Sequence, residues 1–503
     1  MKKIRLTGRS SRLSLLQIEK VKNQILVLFP EMEVKVLPRE SRGDLLPDIP
    51  LQTVEGTDFF TADLYEGLAK GDADIAIHSL KDMSAQHFFG NNFFAVVERE
   101  DTRDIAIFNA DVNKKIAAGQ TLVIGTCSPR REEMAIDFLS KALPSAAGKV
   151  SIMVKPIRGN VESRLRKLES GEYDATILAT AGLNRLLESV EDGALVRELL
   201  SGRKLMILPL IECVPAPCQG AIVAECLPDN KDAVEILKAI NKPELEADCI
   251  AEKKTAAAYG TGCIQKFGVT SLNLGNEKFG YAAGRDQYDH IISKWSGLPE
   301  VFVKINRLFS STDHMAGFFD YAYEHKLPQI QSEVVFISNY KSIHNEEVIE
   351  LIKDKKVWAS GTKTWFELAR KGIWVEGCAD ALGLESLQTV FQMPLVKIEK
   401  SQVTVITHHS AAKHWRDKGW HAVATYTLHP RLNKSLGDAI RQAELIFWTS
   451  YGQYELYKAH VGPDVQHASP FGETSERLKQ AGLDPIIFPT IKSFNVWRNS
   501  VTL

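Results

Sequence analysis

The sequence predicts an α/β protein with several domains. Its 503 residues exceed one ordinary domain, so three or four are expected. Ile4–Leu6 and Glu33–Leu37 have strand patterns, Ser14–Leu28 has helical spacing, and Asp74–His78 is typical of a buried strand. This alternation predicts a mostly parallel sheet covered by helices, with ligands bound beyond the carboxyl ends of its strands.

A second unit with the same pattern spans about Asp104–Pro209. Its predicted strands are Leu122–Ile124, Ser151–Val154 and Ala175–Leu178. A third, smaller unit follows, and it contains the glycine-rich turn Gly260–Cys263 before further β-like segments. The first two thirds of the chain therefore predict two α/β domains and one small α+β domain.

The last third of the chain carries an internal repeat. Val335–Ser338 is echoed by Phe447–Ser450, and Ala359–Thr364 is echoed by Ala468–Thr474 at the start of a helix. Both copies have the order strand, polar turn, helix, glycine, strand. The region 332–503 is therefore predicted to form two similar α/β lobes.

The composition, with 44% apolar and 25% charged residues, is that of a soluble globular protein. No stretch approaches the roughly 20 apolar residues of a membrane helix, and the first residues lack a signal-peptide pattern. A net charge of -2 gives no global indication of a nucleic-acid partner. The seven cysteines form no CxxC pair. We therefore expect a cytoplasmic protein with no metal site and no nucleic-acid, membrane or protein partner.

Arginines and hydroxyl groups gather where predicted strands end. The arginines in question are Arg9, Arg130, Arg131, Arg158, Arg164 and Arg185. Guanidinium groups bind carboxylates in a bidentate manner, and the Thr126 and Ser128 hydroxyls precede a predicted helix N-terminus. Together these groups predict a ligand with several carboxylates or phosphates. For any one arginine, a surface salt bridge is the alternative.

Two further side chains indicate chemistry. Asp82, at the end of a predicted strand, would stay ionised among the cations and stabilise a developing positive charge or move a proton. A helix N-cap is its alternative role. Cys263 lies in a flexible glycine turn, which suits a thiolate nucleophile, although a plain loop cysteine remains open. Cys218 is its only rival by local sequence.

Taken in order, nine stretches resemble the hydroxymethylbilane synthase (porphobilinogen deaminase) family. They are Gly8–Ser11, His78–Asp82, Glu98–Asp104, Gly125–Arg131, Arg158–Val161, Gly171–Ala175, Ala181–Leu186, Gln219–Ala221 and Gly262–Cys263. The resemblance spans residues 3 to about 325.

The resemblance implies two domains similar to type II periplasmic binding proteins, over 1–104 plus about 219–241 and over 105–210, and a cofactor-carrying domain over 242–327. It implies a dipyrromethane joined by a thioether to Cys263, on which four porphobilinogens are polymerised with loss of ammonia. Water then releases the linear tetrapyrrole. Asp82 matches the catalytic aspartate of the family. The matching cofactor and substrate contacts are Arg9, Ser11, Ser79, Lys81, Thr126, Ser128, Arg130, Arg131, Arg158, Arg164, Arg185 and Gln219.

The chain departs from the family pattern at several positions. Gly56-Thr57-Asp58 stands where a Gly-Lys-Gly loop is usual, which removes a cation and adds an anion. Arg12 replaces a proline, Pro129 a leucine, Cys218 a glycine and Lys253 an arginine. These changes bear on substrate affinity and loop closure more than on the chemistry.

The region 332–503 resembles uroporphyrinogen-III synthase. Ala424–Thr427 is similar to that family's tyrosine-containing strand end, and the turns Thr449-Ser450 and Gly472–Thr474 fit its second lobe. The usual opening strand with its Thr-Arg-Pro turn is not recognisable before Ser332. The resemblance implies a second activity in which Tyr426 donates a proton to a leaving hydroxyl.

Three alternatives stay open on the sequence. Tyr426 could be a strand-end aromatic with its hydroxyl in solvent, and the C-terminal region could be a non-catalytic domain. The whole chain could also be a carboxylate-binding regulatory protein. Asp82 and Cys263 argue against that last reading, because a pure binding protein needs neither group.

Overall fold

The computed structural model describes residues 3–40, 62–260, 265–300 and 305–501. The strands are β1 Lys3–Arg9, β2 Glu33–Arg39, β3 Ile75–Ser79, β4 Phe93–Arg99, β5 Asp104–Phe108, β6 Leu122–Gly125, β7 Ile152–Lys155, β8 Ala175–Ala179, β9 Lys204–Ile207, β10 Ala221–Cys226, β11 Lys266–Leu274, β12 Glu277–Arg285, β13 Ile291–Ser296, β14 Leu308–Ser310, β15 Phe319–Tyr323, β16 Val334–Ile337, β17 Lys356–Ala359, β18 Val375–Cys378, β19 Val403–His408, β20 His421–Pro430, β21 Leu445–Phe447, β22 Gln466–Pro470 and β23 Ile486–Phe488.

The α-helices alternate with these strands through most of the chain. They are α1 Arg12–Leu28, α2 Ala62–Ala69, α3 Ala85–Phe88, α4 Val112–Ala117, α5 Pro129–Ala142, α6 Val161–Glu169, α7 Thr180–Glu188, α8 Val190–Leu200, α9 Lys231–Ile240, α10 Pro243–Ala257, α11 Glu346–Ile352, α12 Thr362–Arg370, α13 Gln388–Gln392, α14 His409–Asp417, α15 Lys434–Gln442, α16 Tyr451–Tyr457, α17 Glu473–Gln480 and α18 Ile491–Val501. The predicted α/β class is therefore confirmed. Within the described ranges, no helix combines the length and apolar character needed to cross a bilayer.

The first sheet has the strand order β2-β1-β3-β10-β4. β1 runs parallel to β2 and β3, whereas β10 runs antiparallel to β3 and β4 and arrives from much later in the chain. Ile18, Val21 and Ile25 of α1 are buried because their three- and four-residue spacing places them on one helix face. Strand β3 of this sheet ends at Ser79, directly before the segment Leu80–Asp82.

The second sheet repeats this plan with the order β7-β6-β8-β5-β9. β6 runs parallel to β7 and β8, and β5 runs antiparallel to β8 and β9. In both sheets the antiparallel strand occupies the fourth place. The turn before Asp82 follows β3, the third strand of its sheet, and the turn before Ser128 follows β6, the second strand of its sheet.

The third unit is a three-stranded antiparallel sheet, β11-β12-β13, with α10 packed beside it. Glu252 of α10 is buried and pairs with Arg99 at the end of β4, with 2.8 Å between Oε2 and Nη2. The same carboxylate accepts hydrogen bonds from the amides of Cys218 at 2.7 Å and Ser271 at 2.8 Å. These contacts fix the small sheet against the first domain.

The C-terminal region contains two sheets with mostly parallel strands. One has the order β14-β21-β22-β23, and the other has the order β15-β20-β19-β16-β17-β18 with β15 antiparallel to β20. Residues 308–323, which the sequence grouped with the domain over 242–327, thus supply strands to the C-terminal sheets. A three-residue strand such as β14 carries too little periodicity to be recognised from sequence. We propose that the C-terminal region begins near residue 305 rather than at 332.

The C-terminal region shares an apolar core with the second domain. The buried ring of Trp365 packs edge-on against Phe138, and its Nε1 donates to the carbonyl of Ala142 at 3.0 Å. Trp374 Nε1 donates to the carbonyl of Leu205 at 3.0 Å. Burial of such large rings stabilises the contact by several kcal/mol. The second domain and the C-terminal region are therefore one continuous packing unit.

Candidate functional site

A cavity of about 300 Å³ opens between the first, second and third domains. Seven of the residues predicted from sequence line it, namely Lys81, Asp82, Ser128, Arg130, Arg131, Arg164 and Gln219. Residues that sequence reasoning did not assign to the site also line it, among them Met83, Cys127, Lys253 and Phe267. The first and second domains bring the predicted groups together because the turns after β3 and β6 line the same cavity.

The other predicted residues lie outside the cavity lining. Ser79 Oγ accepts a hydrogen bond from Gln17 Nε2 at 2.8 Å, and Thr126 Oγ1 accepts one from the amide of Ser128 at 3.1 Å. Arg185 is buried, and its Nη2 donates to the carbonyl of Gly220 at 2.6 Å. Arg9 ends β1, Ser11 precedes α1, and Arg158 follows β7.

Asp104 is the buried centre of the arginine cluster. Arg131 makes a bidentate pair with it, with Nη2 2.8 Å from Oδ1 and Nε 3.2 Å from Oδ2. Arg130 Nη2 lies 2.8 Å from Oδ2, and Gln219 Nε2 donates to Oδ1 at 2.9 Å. Although burial disfavours the charged form, the two guanidinium groups hold the pKa of Asp104 well below its usual range. This carboxylate therefore fixes where both arginines point.

Ser128 and Pro129 begin α5, the helix that carries both arginines. The Ser128 side chain accepts from the amide of Arg131, and proline occupies the first turn, where its missing N–H has no intrahelical partner to lose. Pro129, a departure from the family pattern, is thus compatible with this helix. Because Ser128, Arg130 and Arg131 line the cavity, the N-terminus of α5 lies at the cavity, and a helix N-terminus favours an anion.

The cavity lining has a large excess of positive charge. Lys81, Arg130, Arg131, Arg164 and Lys253 line it, and Asp82 is the one acidic residue among the described lining residues. Desolvation, and then the nearby Arg131 charge, lower the pKa of Arg164 to about 10. Lys81 reaches solvent within the cleft, yet the surrounding protein desolvates its ammonium and lowers its pKa, which Asp82 opposes. A ligand with several carboxylates would relieve this repulsion.

Asp82 ends a short 3-10 turn, Leu80–Asp82, directly after β3. The following helix is capped by Ser84, whose hydroxyl accepts from the amide of His87 at 3.0 Å. Asp82 therefore does not act as the N-cap that the sequence left open. Its half-buried carboxylate lines the cavity instead.

Two histidines, the buried His78 and the half-buried His87, support the strand that leads to Asp82. His78 Nε2 and His87 Nε2 each lie 2.8 Å from one oxygen of the buried Glu225 carboxylate. These contacts outweigh the desolvation of Glu225 and lower its pKa to about 2. The end of β3 is thus held by charge-assisted hydrogen bonds to β10.

Cys263 and the segment Gly56–Asp58 lie outside the described residues. Gly260 and Gln265, on either side of Cys263 in the chain, both line the cavity. The rival Cys218 is fully buried, and its Sγ contacts the carbonyl of Cys249 at 3.4 Å. Burial raises the pKa of the Cys218 thiol well above its usual value, which makes it a poor nucleophile.

The other departures from the family pattern have clear contacts. Arg12 Nε lies 2.7 Å from Asp192 Oδ2, and Arg12 Nη2 lies 2.5 Å from Glu191 Oε2, so it bridges the first and second domains. Lys253 is buried, and its Nζ donates to the carbonyl of Met83. Cys218 adopts a φ of 61°, in the left-handed region that favours glycine.

Comparisons with known proteins identify relatives of the N-terminal half of the chain. A family model described as "Porphobilinogen deaminase, dipyromethane cofactor binding domain" matches residues 4–235. The porphobilinogen deaminase of Streptococcus sanguinis is 33% identical over 272 residues, covering 52% of this chain and 80% of that protein. The chain belongs to the porphobilinogen deaminase family. The enzyme of Chromobacterium violaceum is 36% identical over 264 residues, covering 52% of this chain and 78% of that protein.

The chain is less similar to solved structures than to these two enzymes. The BenM effector-binding domain with benzoate has a TM-score of 0.27 and 12% identity, covering 49% of this chain and 92% of that chain. Fold assignment therefore rests on the strand orders above. The family model names dipyrromethane as the cofactor. The cationic cavity fits such a group, because the side chains of a dipyrromethane end in carboxylates.

We predict that Asp104→Asn destabilises the protein. Two buried guanidinium groups would lose their counter-charge, and breaking a buried ion pair in this way costs about 3–5 kcal/mol. The pKa of Asp104 is depressed on folding, so its contribution is present above the unfolded pKa of about 3.9 and is lost as pH falls below it. Urea unfolding at several pH values measures both effects.

Asp137→Asn is the matched control for Asp104→Asn. Asp137 lies on the same helix and pairs with Lys141 across one turn at an exposed site, where an ion pair contributes little. An Asp104→Asn protein whose unfolding free energy stays within about 0.5 kcal/mol of the parent would show that the arginines do not depend on this carboxylate.

Proposed function

We propose that this chain catalyses the porphobilinogen deaminase reaction. Four porphobilinogens would be joined head to tail on a covalent dipyrromethane with loss of ammonia, and water would release the linear tetrapyrrole. The observation that carries this proposal is the position of Asp82, as the one acidic group among the described residues of a cavity lined by five cations. The family membership of the N-terminal half supports it.

The cations would bind and orient the carboxylates of the substrate. Each porphobilinogen brings two carboxylates, and the forks of Arg130 and Arg131 are already held in place by Asp104. Fixed guanidinium groups lose little entropy on binding, so they position a substrate efficiently. Arg164, whose pKa is lowered by desolvation, would gain most from an incoming carboxylate.

Asp82 would act on the positive charge of the reaction. Loss of ammonia leaves positive charge on the substrate pyrrole, and a carboxylate fixed in a partly desolvated cavity stabilises that charge. The bound dipyrromethane would supply the pyrrole carbon to which the first unit is joined. Cys263 would hold it by a thioether, and the lining positions of Gly260 and Gln265 support this attachment.

The remaining predicted contacts stay predictions. They are Arg9, Ser11, Ser79, Thr126, Arg158 and Arg185, which lie on or beside strands and helices that border the cavity without lining it. The shared strand order of the first two sheets, each with an antiparallel fourth strand, supports two domains of the type II periplasmic-binding kind. A purely carboxylate-binding function would leave Asp82 among those cations without a role.

A dipyrromethane adduct on Cys263 is the first expected outcome. Intact mass and peptide mass spectrometry of the purified protein should show two pyrrole units on that cysteine. Cys263→Ser should lose both adduct and turnover. Cys127→Ser is the control, because Cys127 is the one thiol among the described residues that line the cavity, and it should keep the adduct. An active protein with an unmodified Cys263 would refute the attachment.

Asp82→Asn should lower porphobilinogen turnover by about 10²-fold or more, the scale of losing a key electrostatic or proton-transfer group. The substitution keeps the shape and removes the charge, so folding should persist. Turnover is measured as porphobilinogen consumed per cofactor-loaded protein. Asp111→Asn, at an exposed site on the second domain, serves as control. Near-normal turnover in loaded Asp82→Asn would remove Asp82 from the mechanism.

A second activity, uroporphyrinogen-III synthase, is proposed for the C-terminal region. Tyr426 lies on β20, the strand that pairs with β15, and its side chain is only 2% exposed. The rings of Tyr321, Tyr323 and His408 surround it with centroids 6.0, 6.0 and 5.6 Å away. Desolvation raises the pKa of Tyr426, so its hydroxyl stays protonated and able to donate. A hydroxyl in open solvent, the alternative left by the sequence, does not fit this burial.

The strand β14 also supports this proposal. It pairs in parallel with β21 and is followed by Ser311, whose Oγ accepts from the amide of Thr449 at 2.9 Å. An opening strand and polar turn therefore precede Ser332, in a place where the sequence showed none. The turn lacks the Thr-Arg-Pro residues, so its likeness to the synthase is one of position only.

The isomer of the cyclised product tests the second activity. Porphobilinogen is supplied to the whole protein, and the products are oxidised and separated. An excess of type III over type I, reversed in Tyr426→Phe, is expected if the region closes the ring with inversion of the last unit. Tyr454→Phe, a half-buried tyrosine elsewhere in the region, is the control. Type I alone from the intact protein would leave this region without catalytic function.

A further inference from the structure

The loop that follows β18 joins the C-terminal region to the second domain. We call residues 379–383 the bridging loop. Ala379 N donates to the carbonyl of Ala359 at 2.9 Å, and Ala381 N donates to the carbonyl of Ser360 at 2.8 Å, so the loop is anchored to the end of β17. The side chains of Asp380 and Leu382 in this loop contact the deaminase domains.

Asp380 extends from the bridging loop into the second domain. Its carboxylate is fully buried, with Oδ2 3.3 Å from Arg103 Nη2 and Oδ1 3.3 Å from the amide of Ile211. Arg103 is itself buried and also pairs with Asp101 at 2.5 Å. One guanidinium is thus held between a carboxylate of its own domain and one from the C-terminal region.

Arg103 directly precedes Asp104, the carboxylate that orients Arg130 and Arg131. Gln219 Nε2 links the same segment to the cavity, because it donates to the carbonyl of Thr102 at 2.7 Å and to Asp104. A shift of Arg103 therefore moves the backbone from which Asp104 projects. Asp380 is therefore linked to the cavity arginines through the adjacent residues Arg103 and Asp104.

Asp380 combines a strained backbone conformation with a desolvated carboxyl group. Its φ is 51° and that of Ala381 is 61°, in the left-handed region where residues other than glycine are strained. Desolvation raises the pKa of Asp380 to about 6 despite the nearby Arg103. The other titratable groups that face it, Cys378 and Cys213, supply no compensating positive charge. Strain and buried charge of this kind cluster at functional positions.

The bridging loop also contacts the third domain. Leu382 is buried in a cluster with Leu272, Leu274 and Tyr281 of the small sheet. The carbonyl of Leu382 lies beside Gly472, which directly precedes α17 and follows β22 of the other C-terminal sheet. Residues 379–383 therefore touch both C-terminal sheets and two deaminase domains.

We propose that Asp380 is a positioning residue for the deaminase reaction, contributed by the C-terminal region. It sets the position of Arg103 and, through Asp104, the orientation of the arginines that bind substrate carboxylates. The inference rests on the proposed deaminase function and extends it to a residue beyond the segment matched by the family model, residues 4–235.

The test uses the full-length, cofactor-loaded protein with Asp380→Asn and Asp380→Ala. The asparagine keeps the acceptor for Ile211 N and removes the charge. We expect the KM for porphobilinogen to rise about tenfold in Asp380→Ala, the scale of one lost charge-assisted hydrogen bond, and by less in Asp380→Asn. The unfolding temperature of Asp380→Asn at pH 8 should be unchanged or higher, because a neutral amide is easier to bury. Asp438→Asn, on the exposed face of α15, is the control.

A higher KM for porphobilinogen without a lower unfolding temperature distinguishes a positioning role of Asp380 from a purely structural one. A purely structural Asp380 would lower the unfolding temperature and leave the KM of the folded fraction unchanged, and that result would overturn the proposal. Should Asp380→Ala fail to fold, an unchanged KM in Asp380→Asn overturns it as well. A parent protein that consumes no porphobilinogen would instead refute the deaminase function itself.

Discussion

The buried Asp104 carboxylate is the interaction on which the deaminase site depends. An isolated carboxylate would be protonated at such depth, and two neighbouring arginines would repel each other. Each charge is stable there because the other two are present, and Gln219 satisfies a further oxygen lone pair. The arrangement leaves a net positive charge of one, directed at the cavity. The result is a rigid anion site that requires little reorganisation when a carboxylate enters.

The excess of cations around Asp82 makes the cavity selective for ligands with several negative groups. Among the described residues, Lys81, Arg164 and Lys253 form no ion pair with a carboxylate, although the charges of Asp82 and Asp104 oppose the lowering of the Lys81 pKa. Their repulsion makes the empty cavity electrostatically unfavourable and favours ligands with several negative groups. A single carboxylate in such a field suits a role in stabilising positive charge on a substrate.

The C-terminal region is built into the same packing unit as the second domain. Trp365 and Trp374 each place a ring in the shared interface and donate a hydrogen bond across it, and Asp380 adds a buried charge. The first domain has an apolar core of its own and meets the second through polar contacts such as Arg12 with Asp192 and through Leu13 and Leu16 of α1.

The sequence by itself determined the local elements and the chemistry of the site. Apolar periodicity placed β1, α1 and β3, because neighbouring residues alone decide which face of a strand or helix is buried. Ordered motifs placed Asp82, Arg130 and Arg131 at strand ends, whereas the packing of the first sheet against the second brought those ends to one cavity. Only the tertiary structure decided which side chains and strands pair with each other. The Asp104 centre, the Lys253 contact and the strand pairing of β14 each join residues distant in the chain. The contact between Asp380 and Arg103 spans 277 positions. No local pattern encodes such pairs, since their stability comes from burial and charge balance that exist only once the domains have packed.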